Sequence, residues 1–157
     1  MANAEAQPLR IIAPPPVLYV GLFLLGLAIH AVTPVKLFPS AVVPGILGGV
    51  LLALSVAFAR WAFLTMRKSG TTANPRKPSD ALVTGGPFRF SRNPIYVAMT
   101  GLYLGLDLLA NSAWPLLLLV PLLLLMEWGV IRREERYLSG KFGDPYREYQ
   151  SRVRRWL

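Results

Sequence analysis

Four long apolar blocks, Val17–Val32, Ala41–Met66, Ile95–Ala110 and Trp114–Ile131, constrain this chain more than any other feature. About 20 apolar residues cross a hydrocarbon core roughly 30 Å thick, so each block is a candidate membrane span. In lipid every backbone N–H and C=O must be satisfied internally, and blocks of this length achieve that as helices. Four spans take up more than half of the 157 residues. The expectation is therefore one membrane-embedded domain over 1–157, all-α. It is a polytopic bundle of about four transmembrane helices, near 17–33, 40–66, 94–110 and 114–131, followed by a C-terminal amphipathic helix. No room remains for a soluble nucleotide-binding domain of ordinary size.

The net charge of +9 is placed as a membrane protein places it. Arg67, Lys68, Arg76, Lys77, Arg89 and Arg92 lie between the second and third blocks. Arg132, Arg133, Arg136, Lys141, Arg147, Arg152, Arg154 and Arg155 follow the fourth. The other two connections hold only Lys36. Basic loops stay cytoplasmic, so both termini are expected there. The same charges suit anionic lipid headgroups rather than nucleic acid. The polar stretch Met1–Gln7, followed by Pro14-Pro15-Pro16, does not read as a secretory signal, and the first block is expected to remain in the mature protein. There is no cysteine, and His30 is the single histidine. That excludes disulfides, thiolate chemistry and a multi-histidine metal site, and no metal is expected.

Gly45-x-x-x-Gly49 and Gly101-x-x-x-Gly105 read as helix-packing pairs, because small residues let membrane helices approach closely. Asn111-Ser112 signals a tight turn joining the last two spans into a hairpin, and Pro121 is expected to bend the fourth. Arg67–Ser91 is the longest polar stretch, and its Ser69–Pro75 portion reads as irregular chain. Asp144-Pro145 marks a helix start. Tyr146, Tyr149, Val153 and Trp156 then recur on one helical face, as in a helix lying on the membrane.

Three constellations have chemical potential. In Leu82–Tyr96, glycines and Pro87 make a tight turn, and Pro94 opens the third span with Asn93 or Ser91 placed to cap it. A helix N-terminus beside Arg89 and Arg92 suits an anionic group: a cofactor carboxylate, a substrate carboxylate or a lipid phosphate. Glu127, Glu134 and Glu135 end the fourth span. On a continuous helix Glu127 and Glu134 share a face two turns apart. An acid inside an apolar span points to function, although an ion pair of Glu127 with Arg60 is the alternative. The run Phe142–Val153 offers tyrosine faces for a sulfonium or adenine, or equally for the membrane interface.

At these residues the chain resembles a known family. Leu-Val-Thr-x-Gly, Arg-x-Pro-x-Tyr and Glu-Glu-x-x-Leu-x-x-x-Phe-Gly-x-x-Tyr-x-x-Tyr-x-x-Arg-Val, over Ala81–Val153, look like the isoprenylcysteine carboxyl methyltransferases. They are also similar to the related phospholipid methyltransferases. The resemblance implies a helical membrane enzyme that uses S-adenosylmethionine without a Rossmann domain. The cofactor would sit in a cytoplasmic pocket built from 81–94 and 132–157, and a lipophilic or lipidated substrate would enter from the bilayer. Arg92, Asn93, Pro94 and Tyr96 match the Arg-His-Pro-x-Tyr motif, with Asn93 in place of histidine. That departure sets the chain apart from the isoprenylcysteine enzymes and leaves it at home in the wider group. By the same mapping Asn93, Pro94, Tyr96, Glu134, Glu135, Tyr146 and Tyr149 are expected to bind the cofactor. Arg92, Arg152 and Glu134 are expected to act on the substrate, favoured as a prenylcysteine-like carboxylate gripped by Arg92 and Arg152. The alternative acceptor is a lipid amine, with a glutamate as base. A sterol-type NADPH-dependent reductase and a non-catalytic membrane protein are more distant alternatives.

Overall fold

The computed structural model describes residues 12–71 and 81–157. Met1–Gln7, the Thr72–Pro75 part of the expected irregular stretch, and Arg76 and Lys77 lie outside the described residues. Helix α1 spans Pro15–Val32, α2 Val42–Lys68 and α3 Pro94–Ala110. Helix α4 runs over Ala113–Met126 and passes through a π turn, Glu127–Ile131, into α5, Arg132–Phe142. After Gly143, α6 covers Asp144–Arg152. No strand occurs among the described residues.

Three helical stretches are long and apolar enough to cross a membrane: Pro15–Val32, Val42–Lys68 and Ala113–Phe142. Helix α3, apolar but only 17 residues long, is the short member. At 1.5 Å per residue it reaches about 26 Å, less than the hydrocarbon core. Helix α2 is 27 residues long and packs along it. The C-terminal end of α2 therefore runs past the start of α3, and a 3₁₀ turn, Gly86–Arg89, packs against that overhang. A Cβ on Gly86 would meet Thr65 Oγ1 at 2.6 Å and Trp61 Nε1 at 3.3 Å. Gly86 also has φ +57°, so glycine suits this turn on both counts.

The close approach of α2 to α3 uses Gly48, Gly101 and Gly105. A Cβ on Gly48 would lie 2.7 Å from the Gly105 carbonyl oxygen, and one on Gly105 2.8 Å from Leu52 Cγ. Gly101 is covered by Ser55. The expected pair Gly45 and Gly49 has open space instead. Helix α2 is apolar all round, so composition does not mark its packed face. Gly26 of α1 plays the same part against Pro115 of α4. At the opposite end of the bundle, Asn111 ties the end of α3 to the segment before α2. This residue ends α3 in the left-handed region and, with its side-chain amide, bonds both Phe38 N and Phe38 O at 2.9 Å. The apolar core lies among Tyr19, Tyr103, Leu119, Leu122, Met126, Val130 and Ile131. Outward-facing Leu24, Val50, Leu54 and Val120 are each more than half exposed, as a lipid-facing surface requires.

Candidate active site

The third and fifth helices meet at the end of the bundle where α3 begins, and residues 153–157 fold over their junction. Glu135 of α5 is the centre. Its Oε1 accepts from Arg155 Nε at 3.0 Å, and its Oε2 from Arg155 Nη2 at 2.6 Å. Arg92 Nη2 stands 3.2 Å from the same Oε1. The third nitrogen of Arg155 donates to Glu127. Glu127 also takes Arg132 Nε at 3.0 Å and Trp156 Nε1 at 3.4 Å. Arg60, the alternative partner considered for Glu127, is not among these. Charge-assisted bonds of this kind are the strong ones, and a fork of two parallel bonds adds geometric definition.

The π turn explains the grouping. On a continuous α-helix Glu127 and Glu134 would share a face. A π turn takes in one extra residue, so the face of Glu127 is met again at Glu135. Glu134 turns instead to α3, where its Oε1 accepts from the Tyr96 hydroxyl at 2.7 Å. Tyr96 is the hydrogen-bond partner of Glu134 among the described residues. The backbone of Tyr96 is in turn braced: its carbonyl accepts from Thr100 Oγ1 at 2.9 Å and from the Tyr19 hydroxyl at 3.4 Å.

Asn93 stands at the N-cap of α3, but its side chain makes no capping bond. Its Nδ2 donates to the Arg155 carbonyl at 2.9 Å, and its backbone N–H goes to Ser91 Oγ at 3.0 Å. Ser91 Oγ also donates to the Arg155 carbonyl, at 3.3 Å, and Arg92 N donates to the Arg154 carbonyl at 2.9 Å. Pro94, in the first turn of α3, is buried. These tertiary bonds also settle where α6 stops. The helix was expected to continue to Trp156, but Val153 is extended, at φ −121° and ψ 133°. From there the backbone carbonyls serve the segment before α3 instead of the helix.

Tyr146 and Tyr149 are buried, with ring centroids 6.1 Å apart. The Tyr149 hydroxyl donates to the Phe88 carbonyl at 2.7 Å and so fixes α6 against the 3₁₀ turn. Tyr146 lies within electrostatic range of Glu135, Arg92 and Glu134. Burial pushes both phenols well above their ordinary value, so they remain neutral donors. Arg155 is held still more firmly in its charged form, first by the hydrogen bonds to Glu135, with burial opposing.

The expected convergence of Arg92 and Arg152 is not found. Arg152 ends α6 on its exposed side, 72 % exposed, and pairs with Glu148 one turn earlier. Because the helix stops at Arg152, the extended chain beyond it carries Arg155 inward in its place. Sequence reasoning missed Arg155. The available signal was the match of its charge to the acids at 127 and 135, hidden by the register of the π turn. Arg92 retains a resource of its own: its Nε is buried and has no hydrogen-bond partner among the described residues. A buried donor without an acceptor is costly, so this atom is suited to a ligand anion.

Among the half-buried and buried charges at this end of the bundle, Arg92, Arg133 and Arg155 stand against Glu127, Glu134 and Glu135. The site is thus close to charge balance, although the chain carries +9. No cluster of metal-ligand type occurs among the described residues.

A family model described as phospholipid methyltransferase matches residues 43–145, from α2 to the start of α6. An uncharacterised protein of Haemophilus influenzae is 50% identical over 50 residues, covering 31% of this chain and 76% of that protein. No solved structure matches.

Proposed function

The chain belongs to the phospholipid methyltransferase family, integral membrane enzymes that act on lipids, and on that premise we propose that it methylates a lipid amine with S-adenosylmethionine. The observation that supports this acceptor is the charge state of the site. Arg92 and Arg155 are both engaged by Glu135, and Arg152 lies on the surface, so no pair of arginines is left to grip an acceptor carboxylate. Glu134, held by the Tyr96 hydroxyl at 2.7 Å, is the acid available to a cationic or protonated ligand.

S-adenosylmethionine fits the residues present. Its methionyl carboxylate suits the unpartnered Arg92 Nε, its ammonium or ribose suits Glu134, and Tyr146 can bound its ring system. When bound, the cofactor supplies an electrophilic methyl group on a sulfonium. The chain's own contribution is alignment, exclusion of water and a place for a proton. An ammonium has no free electron pair, so an amine acceptor must first lose a proton, and Glu134 is placed to take it. The lipid reaches the site from the bilayer beside the short helix α3. The site faces the cytoplasm, by the basic residues that flank it.

A carboxylate acceptor is the second reading, favoured by the same free Nε of Arg92. An assay with radiolabelled methyl donor distinguishes them. The purified protein is offered a lipid ending in a primary amine and, separately, a prenylated cysteine carboxylate. Label in a base-stable methylamine is the expected result. Label only in a base-labile methyl ester would replace this reading with the second.

A further inference from the structure

The family match ends at residue 145, and residues 146–157 lie beyond it. Within them Arg155 joins three separate parts of the fold. Its carbonyl oxygen receives Asn93 Nδ2 and Ser91 Oγ, from the segment that opens α3. Its guanidinium forks onto Glu135 of α5 and reaches Glu127 at the π turn. Trp156, the next residue, adds a second bond to Glu127.

The arrangement divides the paired acids. Both oxygens of Glu135 already accept from guanidinium groups, at 3.0 Å and 2.6 Å from Arg155, with Arg92 3.2 Å away. Glu135 therefore orients cations of the protein itself. Glu134, with Tyr96 as its partner, is left to face a ligand. Arg92 has one nitrogen on Glu135 and its Nε unused, so the position of that Nε depends on where Glu135 is held.

We propose that Arg155 is a positioning residue of this site. Its fork fixes Glu135, and through Glu135 the Arg92 guanidinium, so the C-terminal segment Val153–Leu157 acts as a clasp that completes the cofactor-binding half. The proposal rests on the methyltransferase reading. Arginine is required for its shape, because one ammonium does not reproduce two parallel bonds to a carboxylate.

The test compares the wild type with Arg155→Ala and Arg155→Lys in detergent. Arg147→Ala, on the exposed side of α6, is the control. S-adenosylhomocysteine binding is measured by calorimetry, and folding by thermal melting. Both Arg155 variants are expected to bind about 10-fold to 150-fold more weakly, the worth of one hydrogen bond to a charged group. The KM for the lipid should stay within about threefold, since Glu134 and Tyr96 are untouched. Rescue by lysine would overturn the proposal, because charge alone would then suffice. Wild-type affinity in both variants would overturn it too.

A measurement on the wild type alone covers the case in which the variants do not fold. Docking of the clasp and binding of the cofactor must favour one another equally. Saturating S-adenosylhomocysteine is therefore expected to slow tryptic cleavage after Arg154 and Arg155, and an unchanged rate would refute the coupling. A wild type that binds no S-adenosylhomocysteine would take the methyltransferase reading down as well, whereas undiminished binding in both variants removes only the role of Arg155.

Discussion

Glu134→Gln separates the chemistry of this site from its architecture. Glutamine keeps the size of the side chain and an oxygen for the Tyr96 hydroxyl, 2.7 Å away in the native protein. It removes the negative charge and the ability to take a proton. General base catalysis contributes about 10²–10⁴-fold, or roughly 2.7–5.4 kcal/mol at 1.36 kcal/mol per decade. A lost charge-assisted bond to the cofactor costs about 1.5–3 kcal/mol, roughly 10- to 150-fold in affinity. Under amine methylation, turnover at saturating cofactor should therefore fall by at least about 100-fold. Affinity for S-adenosylhomocysteine, which lacks the sulfonium charge, should fall less than affinity for S-adenosylmethionine. Calorimetry with both ligands and single-turnover transfer of labelled methyl to an amine lipid give the three numbers on one preparation. Turnover within threefold of wild type would refute the role of Glu134 as base, whatever happened to binding.

Tyr96→Phe leaves the carboxylate of Glu134 without its donor and should lower turnover by about tenfold, the worth of one such bond, in the same single-turnover assay. Gly48→Ala drives a Cβ to 2.7 Å from the Gly105 carbonyl oxygen and should cost about 1–3 kcal/mol of stability, read as a lower melting temperature in detergent; Gly45→Ala, in open space, should not. A cysteine at Ser40, on the exposed turn before α2, should react with an impermeant reagent added outside cells, and one at Ser151, exposed on α6, only after permeabilisation; the reverse pattern would invert the topology. Tyr149→Phe removes a buried bond of 2.7 Å to the Phe88 carbonyl and should lower thermal stability by about 1–3 kcal/mol, the cost of leaving that acceptor unpaired.

The spans were legible because their cause is compositional. An uninterrupted apolar block in lipid has one inexpensive structure, and the first three helices begin and end within about two residues of the blocks that mark them, whereas the fourth runs on through the π turn to Phe142. Contacts between spans were less legible, for a related reason. In water an apolar stripe marks the packed face, but α2 is apolar on every side, so Gly48 was indistinguishable from its neighbours Gly45 and Gly49. The site lay between these cases. Arg92, Tyr96, Glu134 and Glu135 stood out as polar residues at the membrane surface, and the fold brings them together. Their pairing depended on a single inserted residue at the π turn and on a helix that stops at Arg152, and neither carries a strong local signal.

Charge alone would have misled about the ligand. A chain of +9 suggests sites for anions, yet the arginines divide into two populations. Arg60, Arg67, Lys68 and Arg89 are exposed along the C-terminal end of α2 and the 3₁₀ turn, beside Trp61 and Phe90, whose rings lie 6.2 Å apart. That is the composition of a membrane-surface band, where cations meet lipid phosphate and aromatic rings sit at headgroup level. Arg92 and Arg155 are drawn inward and spent on Glu135 and Glu127. The surplus charge of the chain therefore lies outside the site, where it suits anionic lipid headgroups. The site itself is close to charge balance, which accords with the sulfonium and amine proposed for it.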